Sequence, residues 1–252
     1  MLHPFIRFFS KICGAKNIEI SNNIVKTPSS EFRFLNFDNE TEIYQHCKNI
    51  MIKNNYIFSK YSIPVYFAIS NTNFEIEDIF IYNNRFEGNG NSYTFLFMNG
   101  ICDTIYLNEN MYNNIMHTSS ATHRINSAKN LYISNEAITD LTLQGEYINI
   151  KIQNTYLQKI TSDGVINNFI LDGCNFSHIR SWLDSGVFNS GTINEIILKN
   201  NCFMNKYNKY CLTNTGSIEN CVIQANVSKF DFIWDTVNGK KPNSIFSNNI
   251  FE

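Results

Sequence analysis

The stretch FSHIRSWLDSG, residues 176–186, concentrates side chains equipped for chemistry: His178, Arg180, Trp182 and Asp184 fall within seven residues. An indole can stack on an apolar ring face, guanidinium and imidazole can donate to hydroxyl or carboxylate groups, and a carboxyl can move a proton. Cleaving a glycosidic bond takes two carboxyls, about 5 Å apart for retention of configuration or roughly 6.5 to 9.5 Å for inversion. Asp163, in KITSDG, is the first partner for Asp184, with Asp140 and Asp235 in reserve. Elimination would need a base beside an acidic sugar, a role open to Arg180, His178 or Lys159. Plainer readings stand beside these. Asp163 and Asp184 precede Gly and Ser-Gly and suit turns, and Asp172 in ILDGC suits a solvated or stacked position. Trp182 and Trp234 can cover apolar positions, and His123 and Arg124, in SSATHRINS, are expected on a surface strand.

Whether two carboxyls meet depends on the elements that carry them, and those elements recur. NIEISNNIV at 17–25 returns as NIMIKNNYIF from Asn49, DIFIYNNRF from Asp78, TIYLNENMY from Thr104 and NLYISNEAI from Asn130. NIKIQNTYL from Asn149, NFILDGCNF from Asn168, EIILKNNCF from Glu195, NCVIQANV from Asn220 and SIFSNNIF from Ser244 complete the set. The pattern x-I-x-I-x-N-N-x-F repeats about every 25 residues, in the range of solenoids and arrays. Strict alternation, as in Ile50 and Ile52 or Ile196 and Leu198, means a strand with one apolar face. The asparagine pair supplies the bend, because Asn tolerates the left-handed region. After it the chain turns inward with Phe86, Phe176, Phe203 or Phe251.

A four-residue strand with one apolar face is not stable alone and must lie on its counterpart in the next unit, roughly 4.8 Å away, as a parallel sheet. The asparagines then stack, and their amides bond along the axis as a ladder. A further strand precedes a glycine in TFLFMNG (94–100), DLTLQG (140–145), KITSDG (159–164), GVFNSG (186–191), YCLTNTG (210–216) and IWDTVNG (233–239). The reading is all-β: a single-stranded right-handed parallel β-helix of about ten coils with an asparagine ladder, one domain over 1–252. Both ends begin or stop within a coil, so caps are expected from elsewhere.

Composition narrows the partners. Twenty basic and 22 acidic residues give a net charge of -2 with no basic block, so no nucleic acid is expected. No run has the length of a membrane span, and Pro4, Arg7 and Lys11 interrupt any signal-peptide core, so no membrane and no recognisable export signal are expected. Seven cysteines without a C-x-x-C pair indicate neither a zinc site nor a disulfide framework, and fit folding in the cytoplasm. Cys221 sits where a small buried hydrophobe belongs. No metal and no cofactor are expected.

Three strands per coil, one asparagine bend and loops of unequal length resemble the right-handed β-helices of the pectate-lyase-like superfamily, over essentially the whole chain. The resemblance implies a polysaccharide ligand lying along the pre-glycine strands. Its cytoplasm-made, Asn-rich branch of phage tailspikes and capsule depolymerases implies a virion-tail or cell-surface location and a homotrimer, which exposed Phe95 and Phe97 would permit. If Leu141 and Leu143 point inward, the outward column holds Phe95, Phe97, Asn99, Asp140, Thr142, Gln144, Lys159, Thr161, Asp163, Phe188, Ser190, Thr213, Thr215, Trp234, Thr236 and Asn238. Catalysis is expected of Asp163 and Asp184 with Asp140, and substrate binding of His178, Arg180, Trp182, Lys159, Phe188, Trp234 and Asn238. The N-T-D, D-D and G-H-G motifs of polygalacturonases are absent, as are the R-x-P-x-x-R and clustered calcium aspartates of pectate lyases, so neither activity is expected. Two classes of function remain: cleavage of a capsule or O-antigen type polysaccharide, more as a hydrolase than a lyase, or a non-catalytic module that binds glycan or serves as a shaft.

Overall fold

The computed structural model describes residues 3–8, 16–27, 32–37, 45–59, 67–69, 74–88, 93–98, 101–114, 121–126, 128–176, 185–204, 210–228 and 243–251. These form strands and corners, with no helix among the described residues. The chain divides into two compact units, Met1–Lys129 and Asn130–Glu252.

In the first unit the isoleucine strands Lys16–Ser21, Gln45–Lys53, Phe74–Tyr82 and Ile101–Asn108 pair in parallel. Each is followed by a short post-bend strand: Ile24–Thr27, Tyr56–Ser59, Arg85–Gly88 and Met111–Asn114, again parallel. A third parallel sheet contains His3–Phe8, Phe32–Phe37, Phe67–Ile69, Tyr93–Met98 and Ala121–Ile125. The second unit repeats the scheme. Its isoleucine strands are Asn130–Ser134, Glu146–Gln153, Val165–Asp172, Thr192–Lys199, Ser217–Gln224 and Asn243–Ser247. Its pre-glycine strands are Ala137–Leu143, Tyr156–Ser162, Ser185–Asn189 and Tyr210–Asn214. Cys202–Phe203, Val227–Ser228 and Ile250–Phe251 form its post-bend sheet. Each unit is a parallel β-helix.

The register follows from the period-two pattern, since a one-residue slip would turn every apolar side chain outward. Ile50, Ile79 and Ile105 align, as do Ile52, Ile81 and Leu107, and all are buried. In the second unit Ile150, Phe169, Ile196 and Cys221 form one inner row and Ile152, Leu171, Leu198 and Ile223 the next. Each such side chain contributes about 1.5 to 3 kcal/mol on leaving water. The cysteine in that row is buried as a small hydrophobe.

The two asparagines at the bend do different work. The first takes the left-handed conformation in coil after coil: Asn22, Asn54, Asn83, Asn135, Asn154, Asn200 and Asn248 have φ between 48 and 58, and Glu109, Gly173 and Ala225 fill the position elsewhere. The second turns inward. In the first unit Asn23, Asn55 and Asn84 each donate their Nδ2 to the Oδ1 of the next, ending on Asn110, at 2.9 Å per step. The same oxygens accept the backbone N–H of the preceding asparagine, and Asn55, Asn84 and Asn110 also donate to the carbonyls of Ile20, Ile52 and Ile81. Every polar atom of a buried amide thus has work to do, which offsets the cost of removing it from water. In the second unit the ladder runs through Asn201, Asn226 and Asn249, while Glu136, Thr155 and Cys174 take the buried position in the earlier coils. Cys174 imitates the amide: its Sγ reaches the Ile152 carbonyl at 3.4 Å and its N–H donates to Asn201 Oδ1 at 2.8 Å.

The glycine corner has its own cause. In the second unit Gly164, Gly191 and Gly216 stack so closely that a Cβ on each would lie 2.3, 2.1 and 2.1 Å from the carbonyl oxygen of the glycine one coil earlier. The same carbonyls accept from Val165, Thr192 and Ser217 N–H. Two expectations need correction. Phe86, Phe176 and Phe203 are buried, but Phe251 is 51% exposed, because its strand is paired on one side only among the described residues. His123, expected on the surface, is 1% exposed and packs edge-on against Tyr112, 5.1 Å between ring centres; Arg124 is exposed as expected.

Candidate functional site

The pre-glycine sheet of the second unit presents the candidate side chains. Leu141 and Leu143 are buried, so their neighbours face out. The register sets Asp140 beside Lys159, and Thr142, Thr161, Phe188 and Thr213 in one row across four coils. Three of that row are partly exposed, whereas Thr213 is covered. One step along, Gln144 Nε2 donates to Asp163 Oδ2 at 2.9 Å, Ser190 Oγ to the Ser162 carbonyl and Thr215 Oγ1 to the Asn189 carbonyl.

Lys159 joins Asp140 and Phe188 into one group on this face. The Lys159 ammonium lies 5.6 Å from the centre of the Phe188 ring, within cation–π range. Burial raises the Asp140 carboxyl above the usual aspartate range, and the nearby Lys159 charge offsets this only in part. A carboxyl that holds its proton more tightly than usual is suited to act as an acid, an ammonium can pair with an acidic sugar, and an aromatic ring can carry a sugar face. Asp163 is exposed at the glycine corner, where its N–H donates to the Leu143 carbonyl, so it also serves the turn. It lies four residues beyond Lys159, which puts it about 13 Å along the strand direction from Asp140. That exceeds the carboxyl spacing for either stereochemical course.

His178, Arg180, Trp182, Asp184, Trp234, Asp235, Thr236 and Asn238 lie outside the described residues, as do Asn99 and the side chains of Phe95 and Phe97. Asp184 directly precedes Ser185, the first residue of the strand that carries Phe188. Asp172 sits in a polar row on the isoleucine sheet. Burial would raise its carboxyl, but bonds from Asn200, Lys199 and Gln153 prevail and hold it below the usual range.

Two features escaped the sequence reading. The contact of Lys159 with Phe188 joins residues 29 positions apart across an unequal loop, so spacing alone could not pair them. A second, partly exposed amide column crosses the isoleucine strands: Asn49 donates to Asn17, Asn149 to Asn130 and Asn168 to Asn149, at 2.9, 2.8 and 3.0 Å. Its signal was the asparagine that opens so many of the repeats. No protein-family model, curated protein or solved structure matches this chain.

Proposed function

We propose that this protein binds a complex surface polysaccharide, of the capsule or O-antigen type, along the outer face of the pre-glycine sheet in the second unit, and hydrolyses it. The observation behind this reading is the cluster of Asp140, Lys159 and Phe188 on one rigid face, flanked by the hydroxyls of Thr142 and Thr161. Rigid strands keep such groups in register for a repeating ligand. In this reading Asp140 protonates the leaving oxygen, and a second carboxylate, from Asp184, attacks the anomeric carbon or activates water. Lys159 and Phe188 hold the sugar, with His178, Arg180, Trp182, Trp234 and Asn238 as further binding groups. The parallel β-helix agrees with kinship to the pectate-lyase-like superfamily, and a homotrimer on a virion tail or cell surface belongs to the same reading.

A non-catalytic glycan-binding or shaft module is the second reading, favoured by the engagement of Asp163 with Gln144 and its distance from Asp140. Incubation with a panel of capsular and O-antigen polysaccharides separates the two. Hydrolysis gives new reducing ends without the ultraviolet absorbance of an unsaturated sugar, and Asp140→Asn or Asp184→Asn abolishes them. An absorbing product means a lyase and moves the search to Arg180, His178 and Lys159. Binding that Lys159→Ala and Phe188→Ala weaken, with no product from any glycan, means the non-catalytic module. Neither product nor binding sinks the proposal.

A further inference from the structure

We infer a second carbohydrate site, for a single neutral pyranose ring, at the asparagine corner around Gly173 in the second unit. A hollow of about 250 Å³ opens there, lined by Asn154, Thr155, Tyr156, Gly173, Cys174, Asn175, Asn200 and Cys202. It coincides with the one bend whose first residue has no side chain. The first position of the bend carries a side chain in every other coil, and Asn83 there donates to Asn54 Oδ1 at 2.8 Å, so the column fills itself. At Gly173 no side chain is present, and the carboxamide of Asn154 leans into the space: a Cβ on Gly173 would lie 2.7 Å from Asn154 Oδ1. Asn200, with no bend amide one coil earlier, turns instead to Asp172 Oδ1 at 2.9 Å.

The walls define the ligand. Tyr156, Asn175 and Cys202 align across three coils, and Tyr156 is 57% exposed. Thr155 and Cys174 form the buried floor. No lining side chain is an acid or a base of the Asp, Glu, Lys, Arg or His kind, so neither an anion nor a cation is selected. The volume is below the roughly 300 to 1,000 Å³ of drug-sized pockets. An aromatic platform beside amides from coils about 5 and 10 Å apart offers what a sugar ring uses: an apolar face to lie on and paired donors and acceptors for its hydroxyls. The site lies at the start of the strand Tyr156–Ser162, three residues before Lys159, and does not rest on cleavage there.

Saturation-transfer NMR on the intact chain, with the methyl glycosides of glucose, galactose, mannose and N-acetylglucosamine as probes, tests the site. At least one glycoside is expected to receive transfer. Gly173→Asn should abolish it without lowering the urea midpoint, since asparagine holds the same conformation at seven other bends. Tyr156→Ala should weaken it roughly fivefold to tenfold. Lys159→Ala, which disables the proposed polysaccharide face, should leave it unchanged, so the two sites fail separately. Transfer to none of the four glycosides overturns the inference, as does a signal that persists in both Gly173→Asn and Tyr156→Ala.

Discussion

Asn84 shows what one rung of the ladder holds. Its amide accepts from two nitrogens of Asn55 and donates to Asn110 and to the carbonyls of Ile52 and Tyr82. Asn84→Ala strands several buried partners at once and is expected to lower stability by about 3 kcal/mol in urea unfolding. Its neighbour Asn83 is exposed with φ 52, so Asn83→Gly should be near neutral and Asn83→Ala should lose about 1 kcal/mol. A larger loss at 83 than at 84 would contradict this division of labour. Asp140 behaves in the opposite sense, because burial raises its carboxyl in the folded chain. The folded state then binds its proton more tightly than the unfolded one, so the ionised group is a penalty at neutral pH that fades as pH falls through the folded pKa. Asp140→Asn should therefore unfold at higher urea than the parent at neutral pH, with the gain gone below the ordinary aspartate pKa. An equal gain at both values would remove burial as its cause.

The strands are set by their corners. At the glycine corner the next coil's backbone leaves no room for a Cβ: on Gly191 it would sit 2.1 Å from Gly164 O and 2.7 Å from Asp163 C. Gly191→Ala is expected to lower stability by about 3 kcal/mol, since the obstructing atoms are backbone and cannot rotate away. Gly186 is a useful contrast, because its Cβ would meet the rings of Phe176 and Phe203 at 3.1 to 3.3 Å, and those side chains can shift slightly. Gly186→Ala should lose about 1 kcal/mol in the same assay. Equal losses would show that the carbonyl stack does not govern that corner. Elements also explain where the sequence was hard to divide. In Ala137–Leu143 and Tyr156–Ser162 the segment after the bend runs straight into the pre-glycine strand, whereas Cys202–Phe203 and Tyr210–Asn214 are separate.

Across the molecule the thiols report the packing. Among the described residues Cys47, Cys102, Cys174, Cys211 and Cys221 are buried and only Cys202 is partly exposed. Burial raises the thiols of Cys174 to about 11 and of Cys211 and Cys221 to about 12, so they stay protonated and unreactive. A thiol reagent added to the native protein should therefore modify Cys202 and none of these five, and all should react on unfolding. Rapid native labelling of Cys221, located by peptide mapping, would mean that the core opens more readily than its packing implies.

The chain's own pattern determined the coil. Period-two isoleucines fix which face is buried, and an asparagine in the left-handed region is a local preference that needs no partner, so strands, bends and parallel stacking were legible from 17–25 onward. The column expected to face outward was read correctly at Asp140, Lys159 and Phe188 once Leu141 and Leu143 pointed in. What the pattern could not supply was anything set by contact between coils. The tertiary structure decided that one asparagine of each pair is exposed and the next turns inward, that His123 lies inside, and that Lys159 meets Phe188. It also decided that a hollow lies at Gly173, where other coils carry a side chain. Each of these depends on which residue stacks above which, and unequal loops hide that register until the chain is wound.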